Sequence, residues 1–196
     1  MRNPETTKNL IVSKAISIFN QKGYRATSLS DITKATGMTK GAIYGNFENK
    51  DAVAVASFEY AIGRVLDDLR MHIKAAPTAP EKLKAILNYY SKYIENPPIA
   101  GGCPVINTSV EADDDHPMLR TRAVGTIAMI KGSLQQIITR GLQEDQIREG
   151  VDAHLYASMF YSTISGAILI SRVEGNKQSF ELIRQGLEMQ INAISK

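Results

Sequence analysis

Apolar residues return every three or four positions along most of the chain and show no sustained alternation, a pattern that predicts helices and no sheet. A first helix over 5–21 turns Leu10, Ile11, Ala15, Ile18 and Phe19 to one side and stops at Gly23. In the next short run Leu29, Ile32 and Ala35 make a single stripe, which Ser28 can cap while Asp31 closes a capping box three residues on. Gly37 suits the left-handed residue that ends such a helix. Met38 can fill the crook of the turn, and Thr39 can cap a third helix with Ile43 and Phe47 facing inward.

Longer helices follow. A fourth is expected over 50–73, carrying Val53, Val55, Phe58, Ile62, Val65, Leu66 and Leu69 on a broad apolar surface. The run AAPTAP breaks it, and Pro80 opens a fifth helix with Leu83, Ile86, Leu87, Tyr90 and Ile94 inward, stopped by Asn96, Pro97 and Pro98. After an irregular stretch to Gly102, a short helix is expected from Cys103 and Pro104 to Ala112. A seventh, with the Asp115 carboxylate as its cap, runs through Leu119, Ile127, Leu134 and Ile138 to Gly141. Two more, over 152–171 and 177–194, complete the body.

The segment TSLSDITKATGMTKGAIYGNFENK, Thr27 to Lys50, reads as two short helices around a tight turn, a helix-turn-helix unit whose second helix enters a DNA major groove. Thr39, Lys40, Gly41 and Ala42 would face the bases. Tyr44 can reach a sugar-phosphate strand, and Lys50 can pair with a phosphate. Charge points the same way: residues 1–50 hold eight Lys or Arg against three Asp or Glu, whereas the remainder holds fifteen against seventeen.

The run GYRATSLSDITKATGMTKGAIYGNFENKDAV, Gly23 to Val53, resembles the TetR family of transcriptional regulators. That resemblance implies an all-α homodimer of about nine helices per subunit, with a three-helix DNA-binding head over 1–49 and a helical ligand-binding and dimerisation body over 50–196. It implies that Thr27, Tyr44 and Lys50 touch phosphates and that Thr39 to Ala42 read bases. Gly45 and Asn46 depart from the histidine or aromatic common in relatives, which leaves one backbone contact weaker or supplied by Asn46. The last two helices would pair with their symmetry mates in a four-helix bundle, with Met159, Ile164, Ala167, Ile168, Phe180, Leu187 and Ile191 at the interface. An inducer would lie among the middle helices, where Phe58, Ile62, Tyr89, Tyr93, Cys103, Met129, Phe160 and Tyr161 are the candidate lining.

Cys103 sits in GGCPVINTSVE, a region that resembles a TetR-like subgroup in which some members sense electrophiles or oxidants through a cysteine and others use ordinary ligands. A buried thiol acting as a small hydrophobe is the plain alternative. The lone cysteine excludes an internal disulfide framework. No Cys/His zinc spacing and no phosphate-binding glycine loop is present, so no metal or cofactor is expected. Asp113, Asp114 and Asp115 beside His116 read as loop and cap residues. No stretch reads as a membrane span or secretory signal, which leads to a cytoplasmic expectation. The reading is therefore a ligand-responsive regulator, most naturally a repressor on a palindromic operator. Three alternatives remain: a Cys103-based redox or electrophile sensor, a sequence-insensitive architectural DNA-binding protein, and an enzyme with Cys103 as nucleophile and His116 or His154 as base.

Overall fold

The computed structural model describes residues 4–196, the side chains of Pro4 and of Asp113–Asp115 excepted. Among the described residues the chain forms α1 Pro4–Lys22, α2 Leu29–Thr36, α3 Lys40–Tyr44, α4 Lys50–Lys74, α5 Ala79–Glu95, α6 Pro104–Asp115, α7 Pro117–Gln143, α8 Ala153–Glu174 and α9 Gln178–Ile194. Extended pairing is limited to an isolated bridge between Ile147 and Ser195. The all-α expectation is thus met.

Two compact units organise the helices. The first gathers the chain up to Val65 with Pro98–Thr126, and the second gathers Leu66–Pro97 with Ile127–Lys196. This grouping rests on contacts and cuts through α4 and α7, so it differs from the division by role at residue 49.

In the first unit, α1, α2 and α3 close over Ile11, Ala15, Ile32, Ile43 and Val53, all fully buried, with Phe19, Leu29, Met38 and Phe47 packed around them. Burying an isoleucine stabilises by roughly 2 to 3 kcal/mol, so the three isoleucines alone outweigh the weak helix propensity of so short an α3. Val12 and Ile16 are buried as well, which turns the inward face of α1 toward them and leaves the expected Leu10 and Ile18 half-buried.

In the second unit α8 packs on α9, and α5 packs on both. Tyr89 and Tyr93 are the buried tyrosines of α5, in place of the expected Tyr90 and Ile94. Ser171, buried on α8, accepts the Phe180 amide at 2.9 Å and so fastens the start of α9. α7 runs past Gly141 to Gln143. Gly141 is a point of close approach, since a Cβ there would stand 2.6 Å from that of Ala79.

α8 and α9 correct the expected interface. Ile164, Ala167, Ile168, Phe180, Leu187 and Ile191 are buried inside the protomer, and Met159 alone of the seven faces out. At 100° per residue the outward Leu155, Met159, Leu169, Ile170 and Val173 form a stripe opposite the buried one. Leu182 and Met189 do the same on α9. Apolar on both faces, α8 is also long and apolar enough by length and composition to cross a membrane, contrary to the sequence expectation, although serine and glycine interrupt it.

Candidate DNA-binding surface

Local signals build the surface. Ser28 accepts the Asp31 amide at 3.1 Å and Asp31 accepts the Ser28 amide at 2.9 Å, so the capping box forms as expected. The Asp31 carboxylate also meets Lys22 at 2.9 Å, and this contact first, then the Ser28 hydroxyl and amide, holds its carboxyl well below the ordinary range. Gly37 ends α2 at φ 68° and Thr39 caps α3, accepting the Ala42 amide at 3.2 Å. With Ile43 pointing into the core, Thr39, Lys40, Gly41, Ala42 and Tyr44 are left exposed, Tyr44 at 44%.

Three other candidates sit differently. Thr27 is fully buried and donates its hydroxyl to the Gly23 carbonyl at 2.6 Å, which corrects its expected phosphate contact: the side chain has no accessible surface here. Asn46 donates to the Ala42 carbonyl at 2.8 Å, closing the end of α3. Lys50 lies over the Tyr24 ring with its ammonium 4.1 Å from the centroid, half-buried beside the head.

Sequence reasoning missed the attachment of this head to α6. Asn107 donates to Asn20 Oδ1 and to the Gly101 carbonyl, both at 2.8 Å, while Asn20 donates to the carbonyls of Ala100 at 3.0 Å and Gly102 at 2.8 Å. One turn along α6, Glu111 accepts the amides of Tyr24 at 2.6 Å and Arg25 at 2.8 Å. Gly101 adopts φ +101°, and a Cβ there would meet the Asn20 carbonyl oxygen at 2.6 Å, so only glycine lets the loop lie on α1. The visible signal was Asn107 and Glu111 four residues apart after a Gly-Gly pair, which places both on one helical face.

His116, read from the sequence only as a candidate base and as neighbour of the aspartates, is a helix cap. Its Nδ1 accepts the Leu119 amide at 3.2 Å and caps α7, the role expected of Asp115, whose side chain lies outside the described residues, as do those of Asp113 and Asp114. The ring packs edge-on against Tyr24 at 4.3 Å between centroids, with Nε2 3.7 Å from Asp51. Tyr24 donates its hydroxyl to Asp51, and burial, with Asp51 reinforcing it, pushes that hydroxyl's pKa well above the ordinary phenol range.

The candidate effector lining is divided between the two units. Tyr89, Tyr90 and Tyr93 make a ring cluster in the second unit, with His72 against Tyr89 at 5.3 Å. Phe160 stacks on Tyr156 with centroids 6.3 Å apart, Tyr161 is half-buried, and Met129 is exposed. Phe58, Ile62 and Cys103 belong to the first unit. Cys103 is half-buried and precedes Pro104 at the N-terminus of α6, its side chain making no capping hydrogen bond. Buried hydroxyls without a hydrogen-bond partner occur at Ser57, Ser109 and Tyr156, and burial pushes the last up to about 12. Among the described residues no three His, Cys, Asp or Glu gather as metal ligands.

A capped recognition helix held over a hydrophobic three-helix core on an all-helical body defines a helix-turn-helix DNA-binding protein. Comparison with known proteins agrees: residues 11–56 match the family described as bacterial regulatory proteins, tetR family, and residues 79–187 match the tetracyclin repressor-like C-terminal domain. The chain is similar to a TetR-family transcriptional regulator from Cytophaga hutchinsonii, at 36% identity and TM-score 0.91, covering 100% of this chain and 98% of that one. A TetR regulator from Chloroflexus aurantiacus J-10-FL superposes at TM-score 0.94 with 33% identity and the same coverage. The fatty acid metabolism regulator protein of Bacillus subtilis is 26% identical over 174 residues, 88% of this chain and 86% of its own length. The chain belongs to the TetR family and is a transcriptional regulator.

Proposed function

We propose that this regulator is a ligand-responsive repressor that binds a palindromic operator in the cytoplasm as a homodimer and is released by a small molecule. The observation that carries the reading is the exposed run Thr39 to Ala42, with Tyr44, at the capped start of α3 on the basic end of the chain. Tyr44, with Lys50, is the phosphate contact, Thr39 and Lys40 face the bases, and Gly41 and Ala42 allow close approach to base edges. A dimer presents two such helices to half-sites about 34 Å apart. The outward apolar stripes of α8 and α9 supply the self-complementary surface a two-fold dimer requires.

Release follows from differential binding. An effector held more tightly by the arrangement that misaligns the two heads lowers operator affinity by that ratio. Within the second unit, the orphan hydroxyl of Tyr156 is the kind of buried group an effector satisfies. A second reading rests on Cys103. Cys103 opens α6, and the carbonyls of Ala100 and Gly102 beside it accept hydrogen bonds from Asn20 of α1, so modification there would disturb the head.

The test is binding of the purified protein to its own upstream DNA and to a scrambled duplex at near-physiological salt, with and without a thiol-reactive electrophile. Selective binding that Lys40→Ala weakens supports the regulator reading. Equal binding to both duplexes would make it architectural. Release by electrophile that Cys103→Ser abolishes selects the thiol switch, and release that persists in Cys103→Ser removes it.

A further inference from the structure

We infer that a cleft in the second unit, between the end of α4, the start of α5 and the later turns of α7, binds an amphiphilic organic anion. The cleft, open to solvent on one side, offers about 660 Å³, within the range of small-molecule sites. None of the eight candidate effector positions lines it.

Its lining divides by chemistry. Ile73, Ala76, Ala79 and Ile137, buried or half-buried, give an apolar floor contributed by three segments of the chain. Four cations stand around that floor: Arg70, Lys74, Lys82 and Arg140. Two are already matched, Arg70 by Asp67 at 2.9 Å and Arg140 by Glu144 at 2.6 Å. Glu144 is the one carboxylate lining the cleft, and it also accepts from the Gln146 amide at 2.9 Å. Neither Lys74 nor Lys82 makes an ion pair among the described residues, although Lys82 lies near enough to Glu144 to help lower its carboxyl pKa. With four cations around one lining carboxylate, the cleft keeps an excess of positive charge at the edge of an apolar surface.

That pairing decides the ligand class. Exposed lysines hold a bare anion weakly, since water and salt screen them. An apolar surface alone would accept any hydrophobe. A molecule with both parts gains from each: its tail covers Ile73 and Ile137, and its carboxylate or phosphate monoester meets Lys74 and Lys82. The inference names the ligand class for the small-molecule response proposed above and rests on that response only for its regulatory consequence, because binding itself is measurable on the free protein.

The experiment is calorimetric titration of the full chain with decanoate and with decyl phosphate below their micelle concentrations. Inorganic phosphate serves as the head group alone and decyl maltoside as the tail with a neutral head. One-to-one binding of decanoate or decyl phosphate is expected, and the tighter of the two identifies the head group. The double charge reversal Lys74→Glu with Lys82→Glu should weaken it about tenfold, two exposed pairs being turned from attraction to repulsion. A thermal melt matching the parent shows that the variant folds. The inference is overturned if neither amphiphile binds, if decyl maltoside or phosphate alone binds as tightly, or if the reversal leaves affinity unchanged. Binding that the reversal weakens, with no change in operator affinity, keeps the cleft as an anion site and removes it as the seat of the response.

Discussion

The recognition head and the α8–α9 pair are built from the same 3.6-residue apolar periodicity, yet only the head's inner and outer faces can be told apart from the pattern alone. In the head one face of each short helix is apolar and the others carry threonine, lysine or glycine, so Ile32 and Ile43 can only point inward. In α8 both faces are apolar, and the stripe through Ile164 and Ile168 is buried while that through Leu169 and Val173 is not. Periodicity says which residues share a face; it says which face is inside only when the opposite one is polar.

The largest effect that tests this contrast lies in the head. Ile43→Ala removes a fully buried side chain from the point where α1, α2 and α3 meet, at an expected cost of about 3 kcal/mol. DNA binding should be lost, and hydrogen exchange should open residues 11–53 while α8 and α9 keep their protection. Equal loss of protection in both regions would show that the two units do not differ in this way.

Next comes the polar attachment of α6. Asn107→Ala leaves Asn20 Oδ1 and the Gly101 carbonyl without their donor, for an expected loss of about 2 kcal/mol. Asn107→Asp, acceptor-only when ionised, should be at least as damaging although it is nearly isosteric. Urea melts compare the two; a milder Asn107→Asp would mean that size rather than donation matters here. These contacts explain why part of the site was illegible. The Ser28–Asp31 capping box, Gly37 and the Thr39 cap are each encoded within four residues, and the sequence showed them. Asn20 and Asn107 meet across 87 positions, and nothing local distinguishes their amides from surface polar groups. Thr27 failed in the opposite way, its hydroxyl bonded to Gly23 four residues back and closed off by tertiary packing.

A smaller, pH-limited effect belongs to Asp31. The contacts from Lys22 and Ser28 lower its folded carboxyl pKa, so its contribution is present above the ordinary carboxylate range and is lost as pH falls through the lowered folded value. Asp31→Asn should be less stable than the parent at neutral pH, with the gap narrowing below about pH 4. Denaturant midpoints across that range check it. A constant gap would assign the loss to the geometry of the capping box and not to charge.

The smallest expected effect on the protomer is at Val173, 81% exposed on the outward stripe of α8. Val173→Asp removes no buried contact within the chain, so its intrinsic stability should change by less than about 0.5 kcal/mol. Placed in a two-fold interface, the same substitution would be made in both copies and would set two desolvated carboxylates against an apolar surface, costing several kcal/mol of association. Sedimentation should therefore shift toward monomer with the helical spectrum intact, and operator affinity should fall because one head alone reads a half-site. Ile164→Ala, on the buried stripe of the same helix, should do the reverse, lowering thermal stability by about 3 kcal/mol while the folded fraction still self-associates. If instead Ile164→Ala dissociates the protein and Val173→Asp does not, the inner and outer faces of α8 have been assigned the wrong way round.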